Sequence, residues 1–179
     1  MWAPLALFGV PLVLGVAVRA RVGRPVRMAT DGMAPTLREG DLVWMSHRHG
    51  SEVAAGTIVA LKMPGDDGLR VKRVVAVGGQ TVEVIDGALW VDGQSVTRTA
   101  EGEFSEPWCG RAWTVTPAGG RSLERVPLGS VYVLGDNRRA SSDSRQHGPV
   151  PIGAVVGIVD AQIWGADSVL HSLGCERSR

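Results

Sequence analysis

Hydrophobic and polar positions divide the chain into one continuous apolar stretch and a longer region of short alternating runs. Residues 2–18 are almost entirely apolar, and Arg19 and Arg21 follow them. From about residue 26 onward, runs rich in β-branched residues have the two-residue period of strands. These runs are 42–45, 57–61, 69–77, 81–85, 88–91, 131–134 and 155–164. We therefore expect a mostly β protein, an antiparallel β-barrel or folded sheet, behind an N-terminal membrane helix.

Turn signals and composition divide this β region further. Asp86-Gly87 separates two strand runs and is typical of a two-residue hairpin, and Asp92-Gly93 marks another turn. Residues 98–128 mix Gly, Pro, Glu and Trp with little periodicity, which predicts a long inserted loop. The expected organisation is an anchor at 1–21, a β domain at 26–167 and a tail at 168–179 that carries no chemical signal.

The N-terminal apolar segment is close to the length of a membrane span. A spanning helix needs about 20 apolar residues, with a lower limit near 17. No Lys or Arg precedes the apolar run, whereas a cleaved signal peptide usually begins with a positive region. We expect an uncleaved single-pass anchor, with a removed leader as the alternative. Arg19, Arg21, Arg24 and Arg27 follow it, and the positive-inside tendency alone would keep that end in the cytoplasm.

Charge and composition exclude several classes of partner. The 179 residues include 19 basic and 18 acidic side chains without a basic block, which argues against nucleic acid. His47 and His49 alternate on one strand face, but no third ligand follows, so neither a metal site nor a cofactor is expected. Cys109 and Cys175 are the two cysteines, and the sequence leaves open whether they pair.

Four groups of residues that carry candidate chemistry follow one another along the chain. They read GMAPTL at 32–37 with GD at 40–41, GTIVALKMP at 56–64, VKRVVAVGG at 71–79, and GDNR at 135–138 with SSDSR at 141–145 and GPVP at 148–151. Their order and content resemble the boxes of the signal peptidase I family, over about residues 28–164. In the first box of that family, Ser-Met-x-Pro-Thr-Leu, the Ser attacks the peptide bond, and here that position is Gly32.

The resemblance implies a fold, a substrate class and a location. The expected fold is the signal peptidase β domain, and the expected partners are the signal peptides of exported preproteins and the lipid bilayer. The expected location is the cell membrane, with a single span and the β domain on the extracytoplasmic side. This orientation is the opposite of the one that the arginines after the apolar run favour.

The resemblance also assigns a role to Lys72, that of the general base. A lysine can take a proton from a hydroxyl only when its pKa falls, and burial among apolar residues has that effect. Lys72 lies in such a run, between Val71 and Val74. Because successive strand residues point to opposite faces, one of Lys72 and Arg73 is expected to face the site and the other to face solvent.

The remaining site residues come from the first and last boxes. Thr30 and the backbone N–H of Gly32 match the oxyanion donors of the family. Ser141 matches a Ser that hydrogen-bonds the catalytic Lys. Asp143 and Arg145 match a structural ion pair of the family, and Asp136 and Asn137 match the turn that positions it.

The absent hydroxyl leaves more than one function open. Gly32 cannot form an acyl-enzyme, and losing one member of a nucleophile–base unit costs about a million-fold in a dissected serine protease. The chain is therefore expected to be an impaired signal peptidase I-type endopeptidase. The alternative is a catalytically silent relative that binds exported peptides, as an added strand, or assists another peptidase. A third interpretation is a β-rich anchored domain with no role in peptide binding.

Overall fold

The structure is a computed structural model, and it describes residues 23–47, 52–63, 65, 68–165 and 169–173. The predicted anchor at 1–21 lies outside these residues, as do His49 and Cys175. Within the described ranges, no helix is long and apolar enough to cross a membrane. The fold that positions the candidate site is formed by these described residues.

The described residues form fifteen β-strands and one short α-helix. The strands are β1 (Arg24–Arg27), β2 (Leu42–Ser46), β3 (Ile58–Lys62), β4 (Leu69–Val77), β5 (Thr81–Ile85), β6 (Ala88–Val91), β7 (Gln94–Ser95), β8 (Arg98–Ala100), β9 (Glu103–Trp108), β10 (Arg111–Val115), β11 (Arg121–Arg125), β12 (Ser130–Leu134), β13 (Val150–Pro151), β14 (Val155–Trp164) and β15 (Val169–Ser172). The helix, α1, is Ser144–His147, and a 3-10 turn follows at Ile152–Ala154.

The strands pair into three antiparallel sheets. The largest has eight strands in the order β1-β2-β14-β3-β4-β12-β13, with β15 also paired to β14. A three-stranded sheet has the order β10-β9-β8, and a four-stranded sheet has the order β11-β5-β6-β7. The ladder between β14 and β2 shifts register twice, and such irregularities bend a sheet. The predicted mostly β, antiparallel fold is confirmed.

Two-residue turns set the register of the smaller sheets. Asp86 and Gly87 both have positive φ, as do Asp92 and Gly93, which is the geometry of a type I′ hairpin turn. Both of these turns are predicted from the sequence. Residues 101–102 and 109–110 have the same geometry and connect β8 to β9 and β9 to β10.

The expectation of a loop at residues 98–128 is wrong. The segment contains β8, β9 and β10, which form their own sheet, and β11, which pairs with β5. Most side chains of β8 and β11 are exposed. Their sequences therefore lack the alternation of apolar and polar residues by which a half-buried strand is recognised. The predicted tail at 168–179 likewise contains β15, which pairs with β14.

The core is divided by the central strands of the large sheet. Ile58 and Ala60 of β3 pack into one apolar cluster, whereas Val59 and Leu61 pack into another. A third cluster joins β4 and β12 to the four-stranded sheet and includes Trp108 of β9. Because the middle of β4 is covered on both faces, its polar residues Lys72 and Arg73 are buried there.

A fully buried ion pair connects the three-stranded sheet to the turn after β12. Arg138 Nη2 donates to Glu106 Oε1 over 2.6 Å, and both side chains have 0% exposure. Glu106 also accepts hydrogen bonds from Thr97 Oγ1 and Trp108 Nε1, and Arg138 Nε donates to the Gly135 carbonyl. These hydrogen bonds offset part of the cost of moving two charges out of water.

Removing one partner of this pair is expected to destabilise the protein strongly. Glu106→Ala leaves the Arg138 guanidinium as an unpaired buried charge, which typically costs about 3–5 kcal/mol. The measurement is the free energy of unfolding in urea, with the full chain in one detergent throughout.

Glu83→Ala is the matched control for Glu106→Ala. Glu83 accepts from Arg121 over the same 2.6 Å, but these side chains are 25% and 70% exposed. Exposed pairs contribute at most about 1 kcal/mol. Equal losses of stability in the two variants would contradict the importance of the buried pair.

Candidate active site

Gly32 and the side chain of Lys72 lie next to each other in the fold, although forty positions separate the two residues in sequence. Gly32 lies in the turn after β1, and Lys72 lies on β4. A Cβ atom built on Gly32 would be 3.3 Å from Lys72 Nζ and 3.6 Å from Thr30 Oγ1. The lysine amine therefore ends beside the point where a side chain at position 32 would begin.

The backbone at Gly32 can carry a larger residue. Gly32 is absent from the residues with positive φ, so its conformation is open to L-amino acids. The nearest atom to the added Cβ is the far end of a flexible lysine, and the next is the Ala140 carbonyl oxygen at 3.5 Å. A serine at this position needs only a small shift of the Lys72 amine.

Lys72 is buried on β4 and is only 4% exposed. Burial lowers the pKa of Lys72 from its ordinary value of 10.5, because the ammonium form loses its hydration. The nearby Asp143 carboxylate acts in the opposite direction and raises this pKa, as a smaller effect. The net lowering favours the neutral amine, which is the form that can accept a proton.

Arg73 is buried, so the expectation that one of the two strand residues faces solvent is wrong. Its side chain is 1% exposed and donates from Nε and Nη2 to the two carboxylate oxygens of Asp136, over 2.9 and 2.7 Å. The guanidinium carbon also lies 4.6 Å from the centroid of the Trp113 ring. In the sequence of β4, Lys72 and Arg73 lie within a nearly continuous run of apolar residues. A run of this kind is typical of a strand covered on both faces, so it could have predicted that both charged side chains are buried.

Asp136 and Asn137 connect the last box to the first. Thr36 Oγ1 donates to Asp136 Oδ2 over 2.5 Å. The Asn137 backbone N–H donates to the Gly32 carbonyl over 3.2 Å, and its side-chain amide donates to the Asp31 carbonyl over 3.2 Å. The turn after β12 therefore holds the Gly32 segment directly.

Asp143 and Arg145 form a bidentate ion pair in the segment that follows this turn. Arg145 Nε and Nη2 donate to Asp143 Oδ1 and Oδ2 over 2.8 and 3.0 Å. Asp143 also accepts from the Gly135 backbone N–H over 3.0 Å and caps the start of α1. The pair stabilises the loop between β12 and α1.

Ser141 is buried, but it does not contact Lys72 in the way that the resemblance implies. Its Oγ has no hydrogen-bond partner in the described part of the chain. The expected hydrogen bond from Ser141 to Lys72 is therefore not formed in this structure. A Cβ on Gly135 would collide with Ser141 and with the Gly32 carbonyl, so only glycine allows these segments to pack so closely.

A cleft of about 360 Å³ opens beside Lys72. Its lining includes Thr30, Arg70, Lys72, Ala140, Ser142 and His147. Ser142 Oγ and His147 Nε2 are hydrogen-bonded over 2.7 Å. Sequence reasoning singled out neither residue, because α1 has four residues and is too short to show a helical period. In the described ranges, no group of three or more potential metal ligands occurs.

Comparisons with known proteins agree on one family. The family model described as signal peptidase, peptidase S26, matches residues 1–164. "Probable signal peptidase I-1" of Synechocystis sp. is 34% identical over 90% of this chain and 84% of its own length. "Signal peptidase I" of Bacillus licheniformis is 31% identical over 76% of this chain and 73% of its own length. A crystal structure of a signal peptidase I from Enterococcus faecalis is 28% identical, with a TM-score of 0.43, and covers 64% of this chain and 99% of its own.

Burial of Lys72 is expected to make stability depend on pH. Since its folded pKa is lowered, the unfolded chain binds more protons between that pKa and 10.5, and stability rises with pH in this window. Lys72→Met removes the buried amine, so we expect this variant to be more stable than the parent near pH 7. The advantage should shrink as pH rises, by at most about 1.4 kcal/mol per pH unit.

The measurement is the free energy of unfolding of the parent and the Lys72→Met variant between pH 7 and 10. Lys62 is the other lysine of the sequence and is exposed at the end of β3, so Lys62→Met controls for the lost side chain. A stability difference between parent and Lys72→Met that stays constant over this range would disprove the lowered pKa.

Proposed function

The chain belongs to the signal peptidase family, peptidase S26, and we propose that it acts in signal-peptide processing of exported proteins with a site that Gly32 impairs. The observation that carries the proposal is the 3.3 Å between Lys72 Nζ and a Cβ atom at position 32. A nucleophile and its base must lie within hydrogen-bond reach of each other. The arrangement supports a serine at this position paired with Lys72.

Lys72 is the proposed general base. Burial lowers the pKa of its amine, and the neutral amine can take the proton of a hydroxyl at position 32 as that oxygen attacks a peptide carbonyl. The protonated amine can then give this proton to the leaving nitrogen. With Gly32 the attacking oxygen is absent, so the proposal assigns the parent chain no acyl-enzyme at this position.

The proposed oxyanion donors do not depend on the side chain at position 32. The backbone N–H of Gly32 is present in glycine as in serine, and Thr30 keeps a hydroxyl 3.6 Å from the Cβ position. Two such donors would stabilise the negative oxygen of a tetrahedral intermediate. Ser141, Asp143, Arg145, Asp136 and Asn137 are proposed to support the site rather than react.

The proposed location is a membrane, with residues 1–21 as the anchor and the β domain on the extracytoplasmic side. The apolar composition of 2–18 supports the anchor. Cys109 is disulfide-bonded, and disulfides persist in oxidising compartments outside the cytoplasm. The disulfide favours the extracytoplasmic side over the orientation that the arginines suggest.

The second candidate is a catalytically silent relative that binds exported peptides or assists another peptidase. The cleft of about 360 Å³ beside Lys72 favours it, because binding requires the cleft and no nucleophile. An extended peptide could be held there by backbone hydrogen bonds.

Cleavage of a model preprotein by the full chain in detergent tests the proposal. Gly32→Ser is expected to raise the cleavage rate by at least about a thousand-fold, since one missing member of a nucleophile–base unit removes nearly all activity. Gly32→Ala adds the Cβ without the hydroxyl and is expected to leave the rate unchanged. Adding Lys72→Ala to Gly32→Ser should return the rate to that of the parent.

Two results would count against this account. Parent activity equal to that of Gly32→Ser would show that position 32 does not limit the reaction. No cleavage by any variant, together with retained binding of the preprotein, would favour the silent relative.

A further inference from the structure

Ser142 and His147 form a hydroxyl–imidazole pair beside the candidate active site. Ser142 Oγ lies 2.7 Å from His147 Nε2, and both side chains are exposed. That separation is within the reach of direct proton transfer between a serine and a base. The proposed Gly32–Lys72 function uses neither residue, so the pair is available for chemistry of its own.

The segment that carries the pair is held by hydrogen bonds within the turn and the helix. Ser142 precedes Asp143, the N-cap of α1, and His147 is the last residue of that helix. Asp143 and Gln146 close a capping box, in which the Asp143 backbone N–H donates to Gln146 Oε1 over 2.9 Å. Arg145 Nη2 donates to the Ser141 carbonyl, on the residue before Ser142, over 3.2 Å. These hydrogen bonds fix the backbone on which both members of the pair stand, and backbone order of this kind favours a preorganised pair.

The same cleft brings the pair close to the machinery around position 32. Ser142, His147, Thr30 and Lys72 all line it. Ala140, two residues before Ser142, places its carbonyl oxygen 3.5 Å from the Cβ position of Gly32. A substrate that enters the cleft beside Lys72 therefore also meets the Ser142 hydroxyl.

We propose that Ser142 is a nucleophile of this cleft, with His147 as its general base, and that the pair acts on the acyl carbonyl of esters and extended peptides. The site goes beyond the proposed signal-peptide function, because it needs neither a side chain at position 32 nor Lys72. The cleft volume of about 360 Å³ is at the lower end of the range of small-molecule sites.

The proposed reaction needs only Ser142, His147, the substrate and water. His147 Nε2 takes the Ser142 proton while Ser142 Oγ forms a bond to the acyl carbon. The bond from that carbon to the leaving oxygen or nitrogen then breaks, and the leaving group takes the proton from His147. A water oxygen then attacks the acyl carbon of the acyl-serine while His147 takes its proton. The bond between that carbon and Ser142 Oγ breaks, the acid is released, and the imidazolium returns the proton to Ser142 Oγ. The Thr30 hydroxyl lines the same cleft and can donate to the developing oxyanion.

A fluorophosphonate probe, which reacts with activated serine hydroxyls, tests the proposal on the full chain in detergent. Peptide mass spectrometry is expected to find the label on Ser142 of the parent chain. Ser142→Ala should abolish that label. His147→Gln keeps a hydrogen-bonding group without a base, and it should slow labelling of Ser142 at least about 100-fold, the lower range for general-base catalysis.

A control variant separates this pair from its surroundings. Ser95→Ala removes an exposed, hydrogen-bonded serine that does not line the cleft, and labelling should remain unchanged. Labelling of Ser142 is measured on the parent chain, so the result is readable even if Gly32→Ser fails to cleave a preprotein. The absence of label on Ser142, or equal labelling rates in the parent and His147→Gln, would overturn the proposal.

Discussion

The buried ion pair between Arg73 and Asp136 holds together the three segments that form the site. Arg73 follows Lys72 on β4, and Asp136 precedes Asn137, whose backbone N–H donates to the Gly32 carbonyl. Both side chains of the pair are 1% exposed, so a large loss of hydration opposes the interaction. Two parallel hydrogen bonds, a third from Thr36, and the Trp113 ring over the guanidinium offset that loss. The position of Lys72 relative to Gly32 depends on this pair.

The site is unusual because burial of the lysine amine lowers the stability of the fold, although position 32 has no side chain on which that amine could act. Burial of Lys72 opposes its charged form, and a strained or costly group of this kind is typical of a functional site. The cleft, Thr30 and the supporting turn are all present around a glycine that cannot attack. The chain therefore has the scaffold of the family without the family's nucleophile. In the same cleft, Ser142 and His147 are hydrogen-bonded to each other and supply a hydroxyl and a base.

The sequence predicts those parts of the fold in which local signals and burial agree. Alternating apolar residues identify β5, and Asp86-Gly87 and Asp92-Gly93 identify two hairpin turns because Asp and Gly tolerate positive φ. The strands β8 and β11 could not be found in this way, since most of their side chains are exposed and show no alternation. The turn residues Glu101 and Cys109 also have positive φ but are not among the usual turn formers. Burial of Arg138 depends on Glu106, 32 positions earlier in the chain, so the local pattern of the sequence does not predict it.

The most direct test of the account is a crystal structure of the Gly32→Ser variant at a pH where Lys72 is neutral. The central claim is that Lys72 stands beside position 32 as the base of a serine nucleophile. The introduced hydroxyl is expected within about 3.2 Å of Lys72 Nζ, with Arg73 and Asp136 unchanged. A hydroxyl that points away from the amine, or a Lys72 side chain that leaves the cleft when position 32 is filled, would contradict the claim.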